Sequence, residues 1–389
     1  MEYTAQELDQ NNSLRERIND IERFTGERSF SNSQRVSSLP ETIKIPVVVH
    51  VLYHIPAENV SKQIIDRLVA ALNRDFNKKN PDTINTPAHF KPFSASMGFE
   101  FKLATTDPRG FGTTGIVKKY TPITYWMSDD KMKFNATYGD DAWDPKSYLN
   151  IWICNMKDVL GYSTFPGMDA AKDGVVISHE SLTAYGTTAG VNDYRTIVHE
   201  VGHWLNLQHL WGDGYCGDDK VDDTPKQSIY TPGCPTGIRI SCSNNQPGDM
   251  YMNYMDFTDD ACMNMFSKGQ RNRARVLFEN GGVRNSMLSS KGLNAQATVP
   301  ADLPDYYPKW LHVQVYPNPA ATEVKLFFEY DERWKGKKLQ ILDITGRVVI
   351  NKIIASPVET IDVSRLSSGT YFVIAQKDDE KLHAKFIKL

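Results

Sequence analysis

The sequence predicts an α+β domain, in which a mixed sheet is backed by one helix and served by a second that carries the functional residues, followed by a smaller all-β domain. Three observations predict it. A buried strand-like run is followed by a strongly amphipathic helix. A later helix bears histidines four residues apart and opens onto a loop-rich, cysteine-bearing stretch. The chain from Leu311 onward reads as short alternating strands.

In chain order, residues 1–41 are polar and charged, with short helical stretches and little to bury. Pro40 and Thr42 open a strand from Ile43 to Tyr53, whose Ile45, Val47, Val48, Val49, Val51 and Leu52 form the apolar run of buried β-structure. Ser61 is placed to cap the next helix, where Ile64, Leu68, Leu72 and Phe76 recur every four residues, flanked by Ile65 and Val69. Strand-like runs follow at 98–104, 148–155 and 174–178, and a second helix is expected from 193 or 194 to 205. Residues 206–262 are loop-rich and carry four of the five cysteines, and a last helix at about 267–279 closes this block. The stretch 290–310, with Pro300, Pro304 and Pro308, has the composition of a linker. Beyond it come short strands with turns at Thr345-Gly346 and Ser368-Gly369.

Composition narrows the function. A net charge of −3 leaves no basic footprint for nucleic acid. The longest apolar run, around Ile45 to Ile55, is broken by His50 and His54 and is too short to span a bilayer. The first residues, Met1-Glu2-Tyr3-Thr4-Ala5, have neither the basic nor the apolar region of a secretion signal.

The chemistry resides in His199-Glu200-Val201-Gly202-His203-Trp204-Leu205-Asn206-Leu207-Gln208-His209. Histidines at i and i+4 share a helix face, so His199 and His203 can reach one ion. Zinc takes nitrogen ligands tetrahedrally, and a catalytic site keeps one position open. Glu200, beside the first ligand, is placed to take a proton from the attacking water as general base. His209 can serve as third ligand only if the helix stops and the chain turns back. Asn206 stands at that bend, and Asn tolerates the left-handed conformation better than any residue but Gly. The rival arrangement, with a downstream Glu as third ligand, fails because no Glu lies between Glu200 and Glu279.

This run, followed by Asn253-Tyr254-Met255-Asp256, resembles the pappalysin family of metzincin zinc metalloproteases, and the similarity extends from Ile45-Pro46-Val47 to about Phe278. The resemblance implies a metzincin catalytic domain and makes Met255 the Met-turn residue beneath the zinc. It places Gly161-Tyr162-Ser163 near the strand that pairs with substrate backbone. Two departures stand out: Asn206 occupies a position usually held by Gly, and Phe257 one usually held by Tyr. Phe has no hydroxyl to stabilise an oxyanion.

The resemblance also implies disulfides Cys216–Cys242 and Cys234–Cys262, leaving Cys154 as a buried free thiol. Clustered disulfides fit an oxidising compartment. Between Cys216 and Pro225, four carboxylates fall within six residues, the composition either of a solvated acidic loop or of a calcium site. The family binds calcium in the corresponding loop, which implies Asp219 and Asp223 as side-chain ligands, with carbonyls from Val221 and Thr224. Asp259 and Asp260, after the Met-turn, are either two exposed loop aspartates or carboxylates that favour Arg or Lys in a substrate. That preference would make Gln34-Arg35 a self-cleavage site. Residues 1–36 would then be a pro-segment, without a cysteine to block zinc but with Asp20 as a candidate carboxylate.

Residues 312–389 resemble the type IX secretion sorting domain through Val315-Tyr316-Pro317-Asn318-Pro319-Ala320, Leu342-Asp343-Ile344-Thr345-Gly346-Arg347, Leu366-Ser367-Ser368-Gly369-Thr370-Tyr371-Phe372 and Lys385-Phe386-Ile387-Lys388-Leu389. Seven short strands suit an immunoglobulin-like sandwich. The alternative is an accessory binding module. The expected organisation is a pro-segment at 1–36, a catalytic domain at 37–290, a linker at 291–311 and a sorting domain at 312–389. The expected protein is a secreted or cell-surface zinc endopeptidase, made as a zymogen, whose signal peptide is not in this sequence. Zinc and calcium are its expected ions, peptide substrates and the secretion machinery its partners. The alternative is a surface or binding protein on a catalytically silent metalloprotease fold.

Overall fold

The computed structural model describes residues 11–31, 39–182, 194–245, 247–294, 313–328, 334–356, 358–377 and 380–389. The chain divides into two compact units, residues 1–117 with 123–298, and residues 118–122 with 299–389.

The first unit is built on a six-stranded sheet. Its strands are β1 (Ile43–Tyr53), β2 (Phe99–Leu103), β3 (Ile116–Tyr120, of which residues 116–117 fall in this unit), β4 (Leu149–Cys154), β5 (Gly161–Ser163) and β6 (Val175–Ser178), in the order β2-β1-β4-β6-β5 with β3 also paired to β1. Pairings β1–β2, β1–β4 and β4–β6 are parallel and β5–β6 is antiparallel, so the sheet is mixed. Every residue of β1 except Lys44 is buried, as a central parallel strand covered on both faces requires.

Helix α2 (Lys62–Phe76) backs the sheet, and the Ser61 hydroxyl accepts the Ile64 N–H at its start. Its core stripe is Ile65, Leu68, Leu72 and Phe76, with Ile64 and Val69 partly buried beside it. The sequence pattern centres the stripe on Ile64, one residue away, because both isoleucines flank the same face. Helix α3 (Arg195–Trp204) inserts Ile197, Val198 and Val201 into the same core, and α4 (Lys268–Val276) closes the unit with a Ser267–Gln270 capping box.

The leading segment differs from the short helical stretches expected. Its described residues 11–31 form a single helix, α1 (Asn12–Ser31), packed on α4. Polar contacts supply much of the docking. Arg273 binds both Glu22 oxygens at 2.6 and 2.8 Å, and Arg17 donates to the Gly167 carbonyl at 3.0 Å. Such docking leaves no strong apolar period to read.

The second unit contains seven described strands in two antiparallel sheets. β7 (Gln314–Tyr316), β8 (Glu323–Phe327) and β11 (Val358–Asp362) form one; β9 (Lys338–Leu342), β10 (Val348–Ile353), β12 (Gly369–Lys377) and β13 (Glu380–Lys388) form the other. Val324, Leu326, Leu339, Ile341, Val373 and Phe386, drawn from both sheets, share one core. Among the described residues, no helix is long and apolar enough to cross a membrane.

Candidate metal centre and cleft

The start of α3 is fixed from three sides. The buried Arg195 guanidinium pairs with Asp75 of α2, with Asp82 at 2.7 Å and with the Tyr254 hydroxyl at 2.8 Å. Asp260 accepts the Arg195 backbone N–H at 3.2 Å, so its carboxylate is engaged at the helix N-terminus. One face of the helix presents His199 and His203.

After Trp204 the helix ends in a Schellman turn. Asn206 adopts φ +68°, its N–H bonds to the His203 carbonyl at 2.8 Å, and the Leu207 N–H reaches back to the Gly202 carbonyl at 2.9 Å. This reversal returns His209 to the face it would otherwise leave. The Nε2 atoms of the three histidines then stand 3.0, 3.1 and 3.2 Å apart. Each Nδ1 faces an acceptor: the Tyr254 carbonyl at 2.6 Å for His199, the Leu207 carbonyl at 2.8 Å for His203 and the Asp213 carboxylate at 2.6 Å for His209. An Nδ1–H donated to those acceptors leaves every Nε2 with a lone pair directed inward.

Three lone pairs converging in a buried site repel one another, and burial pushes His199 down to about 4 and His203 and His209 well below the usual histidine range. Protonation therefore offers no relief; a cation does. Nitrogens bound tetrahedrally to zinc at about 2.0–2.1 Å stand about 3.3 Å from each other, within a few tenths of an ångström of the separations here. Among the described residues this is the one cluster of three ligating side chains within reach of a single ion.

Met255 is fully buried beneath α3, and a Cβ on Gly202 would collide with its sulfur. The turn itself is held by the Asn253 side chain, which accepts the Met255 N–H at 2.9 Å and exchanges two hydrogen bonds with Gln270. Glu200 lines a cleft of about 320 Å³ together with the three histidines, Phe257 and residues 161–165. Burial pushes the Glu200 carboxyl up to about 8. Strand β5 forms the opposite wall so closely that a Cβ on Gly161 would lie 3.2 Å from the Glu200 Cγ. The Tyr162 phenol anchors β5 by donating to Asp130 at 2.8 Å, and Asp130 pairs with the buried Lys133 at 2.8 Å.

Below the cleft, Cys216 is bonded to Cys242 and Cys234 to Cys262, and Cys154 is free and buried. Each staple contributes about 2–4 kcal/mol to a region that buries little. In the acidic loop the Thr224 hydroxyl lies 2.9 and 2.7 Å from the two Asp219 oxygens and 2.8 Å from the Val221 carbonyl. Asp223 is turned elsewhere, accepting from the Ser267 hydroxyl at 2.6 Å and the Gly269 N–H at 2.8 Å. Asp259 is exposed, with its N–H on the Gly233 carbonyl at 3.2 Å. Asp20 pairs with Arg23 at 2.7 Å within α1, and Gln34-Arg35 lies outside the described residues.

Sequence reasoning missed Asp213, Arg195 and Trp211. Asp213 follows His209 by four residues, a spacing that could have flagged it, whereas the Arg195 network joins residues far apart in sequence.

The extracellular metalloprotease of Arthroderma benhamiae is 30% identical over 274 residues, covering 67% of this chain and 82% of the relative. A second, from Verticillium alfalfae, is 32% identical over 247 residues, covering 59% and 75%. The model of a peptidase family described as pregnancy-associated plasma protein-A matches residues 133–279, and a secretion system C-terminal sorting domain matches residues 314–389. This chain belongs to the pappalysin family of metalloproteases. Mature mirolysin of Tannerella forsythia, solved with a cleaved peptide, is 44% identical with a TM-score of 0.61, covering 64% of this chain and 97% of that one. A promirolysin variant from the same organism is 41% identical with a TM-score of 0.66, covering 73% and 94%. The metalloprotease is thus a zinc endopeptidase by family, exported through type IX secretion by its C-terminal domain.

Proposed function

We propose that this pappalysin-family enzyme is made as a zymogen and holds zinc on His199, His203 and His209, with Glu200 as general base and Met255 as the floor of the site. The convergence of the three Nε2 atoms within 3.2 Å, with Glu200 beside them in one cleft, is the observation that carries this reading. Zinc, when bound, supplies Lewis acidity that polarises a carbonyl and acidifies water. The chain does the rest. Asp213 and the carbonyls of Tyr254 and Leu207 fix the imidazole tautomers, β5 offers backbone to an extended peptide, and Glu200 takes the water's proton and passes it to the leaving amine.

The domain parse is a pro-segment at 1–36, a catalytic domain at 37–290, a linker at 291–311 and an immunoglobulin-like sorting sandwich at 312–389. Support comes from the two sheets sharing one core and from the promirolysin match, which covers 73% of the chain against 64% for the mature form. The same reading includes calcium on the Asp219 and Asp223 side chains with the Val221 and Thr224 carbonyls; its support is that Asp219 and the Val221 carbonyl lie together, both hydrogen-bonded to the Thr224 hydroxyl, and Asp223 joins them only if it leaves Ser267. A preference for Arg or Lys would rest on the exposed Asp259, since Asp260 is engaged by Arg195.

The test pairs zinc content with cleavage of a quenched peptide library by wild type and Glu200→Ala. One zinc per chain and activity that vanishes in the variant while zinc remains is the expected result. Zinc without cleavage, even after residues 1–36 are removed, would overturn it.

A further inference from the structure

The metal site does not end at the cleft. Trp211 stacks on His209 with centroids 4.3 Å apart, and Phe257 meets Trp211 at 5.1 Å and His209 at 4.7 Å. Tyr230 continues the row, 5.7 Å from Phe257 and 6.0 Å from Trp211. Phe257, Tyr230, Ile229 and Ile240 are 47%, 46%, 47% and 54% exposed, far more than single packed apolar side chains require. Ile229 and Ile240 belong to adjoining segments, because Ser228 donates its N–H to the Ser241 hydroxyl at 3.0 Å.

This exposed ledge is rigid. Asp256, next to Met255, accepts the Thr231 N–H at 2.7 Å and the Gln227 amide at 3.0 Å, and the same amide donates to the Ile229 carbonyl at 3.0 Å. The Cys216–Cys242 bond ties down the end of the segment pair where Ser228 meets Ser241, with the Cys216 N–H on the Ser228 carbonyl at 3.2 Å. A surface held this firmly keeps its rings and branched side chains in water without collapsing over them, so a ligand meets them at little ordering cost.

We propose that Tyr230, Ile229 and Ile240 form an exosite, continuous with the cleft at Phe257, that binds an extended substrate stretch bearing aromatic or branched aliphatic side chains beside the scissile bond. The inference rests on the peptide-cleaving reading above. Continuity selects the occupant: a chain lying between β5 and Phe257 has the ledge as its next surface, and the ledge presents no charged side chain from these residues. The exosite is a specificity element and not part of the chemistry, so its contribution belongs in substrate affinity.

The test compares two peptides with one cleavable core, flanked on either side by Leu, Phe and Ile or by Ser and Gly. In the zinc-loaded enzyme freed of residues 1–36, Ile229→Ser and Ile240→Ser raise KM for the apolar-flanked peptide by about five- to tenfold with kcat unchanged, and leave the Ser/Gly peptide unaffected. Anisotropy of the labelled apolar peptide on the Glu200→Gln enzyme shows the same loss of affinity. Equal effects on both peptides, or none on either, overturn the exosite. If wild type freed of residues 1–36 cleaves neither peptide, the protease reading falls, and the anisotropy arm alone decides whether the ledge binds apolar chain.

Discussion

Glu22 of the leading helix accepts a hydrogen bond from the Asn206 side chain at 2.8 Å, at the bend that delivers the third histidine. The same carboxylate is held by Arg273, whose Nε donates to the Asn206 carbonyl at 2.7 Å. A glycine at this bend would satisfy the backbone equally well but would offer α1 nothing. Glu22→Ala, or Asn206→Gly, should therefore loosen α1 while sparing the bend. The expected loss is about 1–3 kcal/mol for Glu22→Ala and less for Asn206→Gly. Hydrogen exchange of residues 12–31 checks it; unchanged protection in both variants would remove Glu22 as a latch.

Asp213 fixes the His209 tautomer from the side opposite the metal position. Asp213→Asn should weaken zinc binding by about 10–100-fold without unfolding the domain. Titration against a competing chelator measures this, and an affinity within twofold of wild type would show that Trp211 stacking alone orients the ring.

Phe257 stands over the site, with its ring 5.3 Å from His199 and nearly half exposed. Its ring lines the cleft that also holds Glu200. Phe257→Tyr should raise kcat by about tenfold through a new oxyanion donor, with KM little changed. An unaltered kcat would mean that another donor already serves.

Gly161 separates β5 from Glu200 by the width of one missing methyl group. A Cβ there would lie 3.0 Å from the Val176 carbonyl and 3.2 Å from the Glu200 Cγ. Gly161→Ala should lower kcat/KM by about tenfold or more while zinc content is preserved. Full activity in this variant would show that β5 can shift freely.

Cys154 is fully buried in β4, and burial pushes its thiol far up, beyond the range in which thiolate forms at neutral pH. A thiol reagent at pH 8 should leave native protein unlabelled and modify one cysteine per chain on unfolding in denaturant without reductant. Rapid labelling of the native protein would place Cys154 in a locally opening strand.

The features legible in the sequence were local. The apolar run of β1, the Ser61 cap and the spacing of His199, His203 and His209 are each complete within a dozen or so residues, so their periodicity carries the structure. The length of α1 was not legible, because Glu22 and Arg17 dock it through partners more than a hundred residues away. The Arg195–Asp75–Asp82–Tyr254 cluster escaped for the same reason. In the acidic loop, the family resemblance paired Asp219 with Asp223, whereas the structure gives Asp223 to the start of α4.

The Schellman turn at Asn206 sets how much length variation the chain tolerates on either side of it. Each residue added to or removed from α3 rotates the downstream chain by about 100°. A single insertion between His203 and His209 would thus carry the third imidazole out of the site. The loops from 214 to 248 carry no such phase, since their ends are fixed by covalent sulfur bridges and not by helical count. Insertion scanning should find the two stretches at opposite extremes: an indel-intolerant hexapeptide next to a segment where new sequence, and with it new substrate contacts, can be added without disturbing the metal.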